Sequence, residues 1–292
     1  MVDLPDGDEA RAVLARVAVP EAARDAVLAA RPVPGTDAWA RLEALHHELV
    51  AGDPAAMVAW PGSAADASPV ERWLELWAFV AAIPHALALD AARGIDPAVT
   101  CATLDNIGAR VDSHRAETGR LGFDGAFWLS QHLRGQIYRL GRLQFNVEAV
   151  RWEPGPDDGF ASGDPLLGVH IPPGPPLTPE ACDDSFARAR PFFDRHVPGG
   201  PWRIASCGSW LLDPQLADML DPTSNIVRFQ RRFTPVPERS WPGDEDVLRF
   251  VFGNPRADPA SLRPTTSLER AIVDHLGAGG HFRTRLGWLR LP

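Results

Sequence analysis

The pattern of apolar and polar positions is most informative between residues 165 and 234. Residues 166–171 form a short apolar run that predicts a strand, and a proline-rich bend follows it. Residues 178–196 predict a helix, because Thr178 before Pro179 is an N-cap signal. The apolar residues of this helix recur at i, i+4, i+7 and i+11, namely Cys182, Phe186, Ala189 and Phe193. We therefore expect one face of the helix to pack on a sheet.

The same region continues with two further predicted strands. Residues 202–210 and 226–234 read as the second and third strands, with a short helix between them. The order is β-α-β-α-β, and such units are usually right-handed and parallel at their first two strands. Ligands of open α/β sheets bind beyond the carboxyl ends of the strands, so the bend after Ile171 is the first place to look for chemistry.

The chain before this region has a different periodicity. Residues 9–115 predict helices only, because stretches rich in Ala, Leu, Arg and Glu are separated by prolines and glycines. Strand signals begin only after residues 118–122. We expect an all-helical N-terminal domain over residues 1–121 and a mixed β/α domain over residues 122–292, which gives an α+β protein.

The remaining elements complete the second domain. Residues 138–152 alternate apolar and polar positions and predict a long strand or a hairpin. Residues 247–252 predict a strand and residues 267–276 a helix, whose Thr266 and Glu269 have the spacing of a capping box. Residues 282–291 predict a last strand.

Composition excludes several classes of function. The net charge is −9 and all 29 basic residues are Arg, dispersed along the chain, which argues against a nucleic-acid partner and excludes a Lys Schiff base. Three cysteines without C-x-x-C spacing favour a reducing compartment. The acidic N-terminus and the lack of 18 consecutive apolar residues predict a cytoplasmic protein with no membrane partner. The histidines and carboxylates do not form a metal-binding pattern, so we expect no metal.

Four segments resemble a known family, the bacterial GNAT-like acyltransferase-domain proteins, and the actinobacterial type in particular. They are residues 138–145 (YRLGRLQF), 167–172 (LGVHIP), 207–214 (CGSWLLDP) and 224–230 (SNIVRFQ). Proteins of this family join a helical N-acyltransferase N-terminal domain to a GNAT-like C-terminal domain. The resemblance implies acyl transfer from acyl-CoA, used as a co-substrate with no tightly bound cofactor, to an amine of a small molecule or peptide.

The resemblance also implies a cofactor site at the bend. GNAT enzymes hold the CoA pyrophosphate on backbone N–H groups of a loop that leads into a helix. The corresponding positions are Ile171, Gly174, Leu177 and Thr178, to which we add Arg188 as a charge partner. Four residues of this bend have no backbone N–H to donate, because they are prolines: Pro172, Pro173, Pro175 and Pro176. We expect any CoA affinity to be poor and to depend on arginines, either Arg188 or Arg228.

The transfer reaction needs a base for the amine and an acid for the leaving thiolate. The single Tyr of the chain, Tyr138, precedes the position where GNAT enzymes often carry their acid. We predict His170 as base and Cys207 or Ser209 as acid, while a structural His and a buried hydrophobic Cys are the alternatives. The predicted substrate-binding residues lie on or after the second strand: Trp210, Asn225, Arg228 and Gln230. Their alternatives are core or interdomain packing for Trp210, a turn role for Asn225, and a solvated strand face for Arg228 and Gln230.

Two kinds of function remain open on these grounds. The first is an N-acyltransferase that uses acyl-CoA, favoured by the order of strands. The second is a metabolite- or peptide-binding protein on a degenerate GNAT frame, favoured by the proline-filled bend, and a variant would take the acyl group from a carrier protein. An acyl-CoA enzyme requires that the strands at 166–171 and 202–210 separate at their carboxyl ends, where the pantetheine arm would pass.

Overall fold

A computed structural model describes residues 2–64 and 66–292 of the chain. The chain divides into two compact units, Met1–Arg139 and Leu140–Pro292. The boundary predicted from the sequence, between residues 121 and 122, lies earlier, before the last helix of the first unit. That predicted boundary stays a prediction.

The described residues of the first unit are rich in helix. The helices are α1 (Gly7–Arg16), α2 (Glu21–Ala29), α3 (Asp37–Ala51), α4 (Pro69–Ala92), α5 (Pro97–Leu104), α6 (Asn106–Thr118) and α7 (Ala126–Leu133). Residues 9–64 and 66–115 contain no strand, whereas a strand begins at Ile137 inside this unit. Helix-rich is therefore the description that the structure supports, and an all-helical domain ending at residue 121 stays a prediction.

Helix α4 is the central helix of the first unit. It begins with a capping box between Ser68 and Glu71, and Trp73 and Trp77 are among its buried residues. By length and composition it is apolar enough to cross a membrane, but 61% of its apolar segment is buried within the protein. That burial is typical of the core helix of a folded domain.

The second unit is a mixed sheet with helices. Among the described residues the sheet has six strands in the order β1-β2-β3-β4-β6-β5, and β1 straddles the division between the units. The strands are β1 (Ile137–Leu140), β2 (Leu143–Ala149), β3 (Pro165–His170), β4 (Ile204–Ser209), β5 (Thr234–Pro242) and β6 (Arg283–Arg290). The helices are α8 (Pro179–His196), α9 (Gln215–Met219), α10 (Asn225–Gln230), α11 (Asp244–Phe252) and α12 (Ser267–Gly277). The α+β class is confirmed.

The helix predicted at residues 178–196 is confirmed as α8. The Thr178 hydroxyl accepts a hydrogen bond from the Ala181 N–H, as an N-cap does. Phe186 of α8 meets Phe145 of β2 edge to face, with 5.9 Å between ring centroids. This contact identifies the face of the sheet that α8 covers.

Two predicted strands are wrong, because both segments are helical. Residues 225–230 form α10, in which Ser224 caps the helix by accepting from the Val227 N–H at 3.3 Å. Residues 247–252 belong to α11, whose first turn carries three acidic residues that suit the positive end of the helix dipole. Short apolar runs fit a strand or a helix, and the capping residues decide between them here.

A buried carboxylate connects two helices of the first unit. Glu75 on α4 accepts hydrogen bonds from the N–H groups of Gly125 (2.7 Å) and Ala126 (2.9 Å), at the start of α7. Burial is the main cause that raises the pKa of Glu75 to about 7, while these two bonds oppose the shift. The folded protein therefore retains this proton between about pH 4.5 and 7, where the unfolded chain has lost it.

We expect Glu75→Gln to remove a pH-dependent loss of stability. In the native protein stability falls as pH rises from about 4.5 to 7, because the folded state binds more protons there. The amide of Gln can accept the same two hydrogen bonds and does not ionise. The variant should gain up to about 3 kcal/mol relative to the native protein across this window, measured by urea denaturation at several pH values. A stability difference that does not change with pH would contradict this role.

Candidate functional site

Strands β3 and β4 are paired over a short length and then separate. Strand β3 pairs antiparallel with β2 along its whole length, from Pro165 to His170. Its parallel pairing with β4 is limited to Leu167 with Ala205 and Gly168 with Ser206. The pairing thus ends before the carboxyl ends of the two strands, as expected, and we call the region between the strands beyond Gly168 and Ser206 the slot.

One face of the sheet beside this slot is polar. Partner residues in a sheet point to the same face, and alternate residues along a strand share a face. The register therefore groups the side chains of Gln144, Asn146, Glu148, His170 and Ser206, which we call the polar face. Phe145 points to the opposite face, which α8 covers.

Gly168 lies at the centre of the polar face. A methyl group at this position would lie 2.1 Å from Asn146 Oδ1 and 2.6 Å from Glu148 Oε1. Contacts that short do not occur, so the two β2 side chains occupy the space that a side chain at residue 168 would need. Glycine here lets polar groups of β2 extend across β3.

His170 belongs to a chain of hydrogen bonds on this face. Its Nε2 lies 2.9 Å from Asn146 Oδ1, and Asn146 Nδ2 donates to Glu148 Oε1 at 3.1 Å. Burial lowers the pKa of His170 to about 4, so the ring is neutral at physiological pH. Burial also raises the pKa of Glu148, against opposing effects of the Asn146 hydrogen bond and the Arg151 charge.

The two other predicted catalytic residues do not point to the polar face. Cys207 follows Ser206 on β4 and so faces the other side of the sheet, where it is buried. Burial, and secondarily the charge of Glu148, raise the pKa of its thiol to about 12. The Ser209 hydroxyl accepts from the Leu211 N–H (3.1 Å) and caps the short 3₁₀ turn at Trp210–Leu212. Their catalytic roles stay predictions.

The proline-rich bend is held by an arginine that the sequence analysis missed. Arg142, in the turn between β1 and β2, donates from Nη1 to the Pro172 carbonyl (2.7 Å) and from Nε to the Pro175 carbonyl (2.6 Å). Its side chain is buried, and its own N–H donates to Ser185 Oγ on α8 at 2.9 Å. A buried positive charge therefore lies against the bend.

Few backbone N–H groups of the bend remain for a ligand. The Thr178 N–H donates to the Pro176 carbonyl, and the Ala181 N–H to Thr178 Oγ. Within the described part of the chain, the N–H groups of Gly174, Leu177 and Glu180 have no partner. Gly174 has a φ of 155°, which favours glycine. These three N–H groups of the bend and of the first turn of α8, with the charge of Arg142 behind the bend, are the donors left for an anion, and we call them the candidate anion site.

The side chains of the predicted cofactor residues Ile171, Leu177 and Arg188 make other contacts. Ile171 and Leu177 pack their side chains on an apolar cluster that includes Trp210 and Leu211. Arg188 is exposed on α8 and pairs with Asp184 at 3.4 Å. It lies ten residues after the cap, roughly 15 Å along the helix. Arg228 is exposed on α10.

The predicted substrate-binding residues are not aligned as expected. Arg228 and Gln230 were expected to share one face of a strand, but residues two apart on a helix point in different directions. Gln230 Nε2 donates to the carbonyls of Leu211 (3.2 Å) and Asp213 (2.7 Å), a structural arrangement. Trp210 is buried, and Asn225 is the first residue of α10.

An aromatic residue that was not predicted lies at the carboxyl end of β4. Trp241 of β5 is 42% exposed, and a methyl group at Gly208 would lie 3.4 Å from its ring. Gly208 shares the face of Ser206, two residues earlier on β4. The indole therefore borders the polar face on the β4 side of the slot, while His170 borders it on the β3 side.

The sequence contains weak signals for the residues that were missed. Gln144, Asn146 and Glu148 alternate in a strand whose other residues are apolar, and three polar residues on one strand face predict solvent exposure. Gln144 and Asn146 are instead buried, at 1% and 4% exposure. Nothing in the local sequence distinguishes Arg142 or Trp241 from other arginines and tryptophans.

The two parts of the chain match two described protein families. Residues 8–135 match the N-acyltransferase N-terminal domain, and residues 137–289 match the GNAT-like C-terminal domain. No functionally curated protein matches the chain significantly.

Solved structures are similar over the whole chain. An acyltransferase in complex with decanoyl-CoA and teicoplanin is 40% identical, with a TM-score of 0.90. An acyltransferase in complex with CoA and 10C-teicoplanin is 39% identical, with the same TM-score. In both comparisons the match covers 100% of this chain and 90% of the other.

We expect Gly168→Ala to disrupt the polar face. The added methyl group would overlap Asn146 Oδ1, so Asn146 and Glu148 must move, at a cost of about 1–3 kcal/mol in unfolding free energy. Urea denaturation measures this loss.

Gly277→Ala is the matched control. Gly277 ends α12, and a methyl group there meets no described atom within 4 Å. Alanine is the better helix former, so the control should be neutral or stabilising by up to about 1 kcal/mol. Equal effects of the two substitutions would show that the Gly168 site has room for a side chain.

Proposed function

The chain belongs to the family that joins an N-acyltransferase N-terminal domain to a GNAT-like C-terminal domain, and from this premise we propose that it transfers an acyl group from acyl-CoA to an amine of a glycopeptide. That the protein is an acyltransferase follows from both family matches and from the whole-chain likeness to acyltransferases. The glycopeptide acceptor and the roles of individual residues are the proposed part.

The observation that carries the proposal is the slot between β3 and β4. A pantetheine arm is extended and carries amide groups, so it suits the exposed edges of two separating strands. After Gly168 and Ser206 the two strands have no further residue pairs. The slot begins between the bend at the start of α8 and the polar face, so a thioester passing through it would reach His170.

His170 is the proposed base for the attack of the amine on the thioester. The amine nitrogen bonds to the thioester carbonyl carbon, the C–S bond breaks, and one proton leaves the nitrogen. His170 accepts that proton as the neutral base, and the imidazolium then gives it to the thiolate of CoA. Because burial lowers the pKa of His170, its imidazolium returns the proton readily.

The bend supplies the site for the CoA diphosphate. The N–H groups of Gly174 and Leu177 in the bend and of Glu180 in the first turn of α8 would hold it, and the helix dipole favours an anion at this end of the helix. Arg142 adds positive charge from behind the bend. In this arrangement one buried guanidinium takes the place of several backbone N–H donors. Charge should therefore contribute more of the CoA binding energy here than in GNAT enzymes whose loop supplies those donors.

The acceptor assignment rests on the relatives and on Trp241. The first similar structure holds both an acyl-CoA and teicoplanin, which is a glycopeptide. A half-exposed indole beside the slot offers a flat surface for the sugar or aromatic rings of such an acceptor. We further propose a cytoplasmic setting, supported by three cysteines that are free in the structure.

We expect wild-type protein to release free CoA thiol and to add one acyl group to a glycopeptide that carries a free amine. His170→Ala should lower kcat by about 10²- to 10⁴-fold, the usual contribution of a positioned base. Cys207→Ala and Ser209→Ala should retain most of the activity. Thiol release and mass spectrometry of the product measure the reaction.

Other outcomes of this assay have clear meanings. A loss with Cys207→Ala as large as that with His170→Ala would assign the proton transfer to the thiol. Transfer from an acylated carrier protein, without transfer from decanoyl-CoA, would contradict the acyl-CoA donor. No transfer from either donor to several amine acceptors would contradict the proposed function.

We expect CoA binding to depend on its diphosphate and on salt. CoA and 3′-dephospho-CoA should bind at least about tenfold more tightly than pantetheine, which lacks the diphosphate, and moderate salt should weaken both. Calorimetric titration measures the three affinities. Arg188→Gln should leave them unchanged because of its distance from the bend, and a large loss would restore the role predicted from the sequence. Salt-insensitive, submicromolar binding would contradict this account.

A further inference from the structure

We infer that Arg285 on β6, with the hydroxyl groups of Ser209 on β4 and Ser240 on β5, forms a second anion site that binds a carboxylate or phosphate group of a substrate. We call these three residues the Arg285 site. It shares no residue with the candidate anion site at the start of α8. Its assignment to a substrate rests on the proposed function, whereas the binding of an oxyanion does not.

The three residues of the Arg285 site form a row across neighbouring strands. Arg285 is opposite Ser209 in the pairing of β6 with β4, and opposite Ser240 in the pairing of β6 with β5. Opposite residues of antiparallel strands point to the same face of a sheet, with Cα atoms about 4.5–5.5 Å apart. Since Ser209 is the last residue of β4, the row lies at the carboxyl edge of that strand. All three residues are partly buried.

The guanidinium of Arg285 lacks a counter-charge. Its Nε is buried without a hydrogen bond, and none of the described residues provides an acceptor or a carboxylate for this side chain. Its Nη atoms reach solvent. The Nε of Arg232 is also buried without a partner, but the Nη atoms of Arg232 hold Asp183 and the Pro179 carbonyl. A permanently charged, partly buried group of this kind is satisfied when an anion binds to it.

The two serine hydroxyls add donors to this charge. Ser209 Oγ accepts from the Leu211 N–H at 3.1 Å, and Ser240 Oγ accepts from Arg283 Nε at 2.9 Å. A hydroxyl has one proton besides its lone pairs. In the part of the chain that the structure describes, neither O–H has a protein acceptor. Each O–H is therefore available to donate to an anion held by Arg285.

The Arg285 site lies on the other face of the sheet from His170. Ser209 and Arg285 share the face of Cys207, which is opposite to the polar face. Strand β4 lies between β6 and β3, so Arg285 is roughly 10 Å from β3 at the usual spacing of strands. The site is therefore suited to a recognition group of a substrate and not to the proton transfer. Two groups of the proposed substrates have the required chemistry, a phosphate of CoA and a carboxylate of the glycopeptide acceptor.

Binding of an oxyanion can be measured without any substrate. We expect a saturable shift of the Arg285 Nε–H signal in ¹H–¹⁵N spectra when inorganic phosphate or acetate is added at constant ionic strength. Loss of the signal in Arg285→Gln assigns it. Ser240→Ala removes one donor but keeps the charge, so it should weaken the binding by about three- to tenfold. Absence of a saturable shift with both anions would overturn the inference.

Arg285→Gln also separates a binding role from a structural one. Since the guanidinium has no partner among the described residues, its removal should leave the urea midpoint of the free protein unchanged or higher. Arg203→Gln, at an exposed position just before β4, makes the same change in net charge and is the matched control. A midpoint clearly below that of the control would identify Arg285 as a structural residue and would also overturn the inference.

The same two variants identify the substrate group. If Arg285 binds a phosphate, Arg285→Gln should weaken calorimetric binding of CoA by at least about tenfold and leave that of pantetheine unchanged. If it binds a carboxylate, the variant should raise the KM for the acceptor by about tenfold at unchanged kcat, and should have no effect with an acceptor whose carboxylate is esterified. Arg203→Gln should change none of these quantities.

The outcomes distinguish the Arg285 site from the proposed function. If Arg285→Gln changes neither the CoA affinity nor the KM for the acceptor, the assignment to a substrate is wrong. Absence of transfer by the native protein would contradict the proposed function alone, because the titration with phosphate and acetate does not depend on activity.

Discussion

The short parallel pairing between β3 and β4 is the constraint on which the candidate site depends. Two residue pairs, Leu167 with Ala205 and Gly168 with Ser206, fix the register of the strands and then end. The register decides which side chains share the polar face, and the end of the pairing creates the slot beside it. A longer ladder would close the slot, and a register changed by one residue would turn His170 to the face covered by α8.

Buried hydrogen bonds connect α8 to the bend through the turn between β1 and β2. Ser185 on α8 accepts from the N–H groups of Arg142 and Leu143, and the Arg142 guanidinium holds two carbonyls of the bend. The prolines of the bend lack N–H donors but keep their carbonyl acceptors. Arg142 donates to two of these carbonyls, those of Pro172 and Pro175. Arg142 therefore has two effects. It satisfies carbonyl groups of the bend with hydrogen bonds, and its positive charge replaces part of the anion affinity that the missing N–H groups would have provided.

Much of the fold was predictable because its signals are local. Thr178 and Pro179 at the start of α8, the capping box at Thr266 and the alternation along β2 each act within a few residues. The errors at α10 and α11 have a local origin too. Both segments are short and apolar, and Ser224 and the acidic turn of α11 were overlooked as helix starts. His170 was predicted as a candidate from its place at the end of a strand.

Local sequence signals specify the α8 helix, the strands on either side of it and the likeness to the acyltransferase family, because periodicity, caps and motifs are carried by neighbouring residues. Tertiary structure alone decided the partners of His170, the opposite direction of Cys207, and the placement of Arg142 and Trp241. These depend on strand register and on the contact of residues far apart in the chain. A shift of one residue in pairing leaves the sequence pattern intact but reverses every side chain of a strand, and so the site exists only once the sheet has formed.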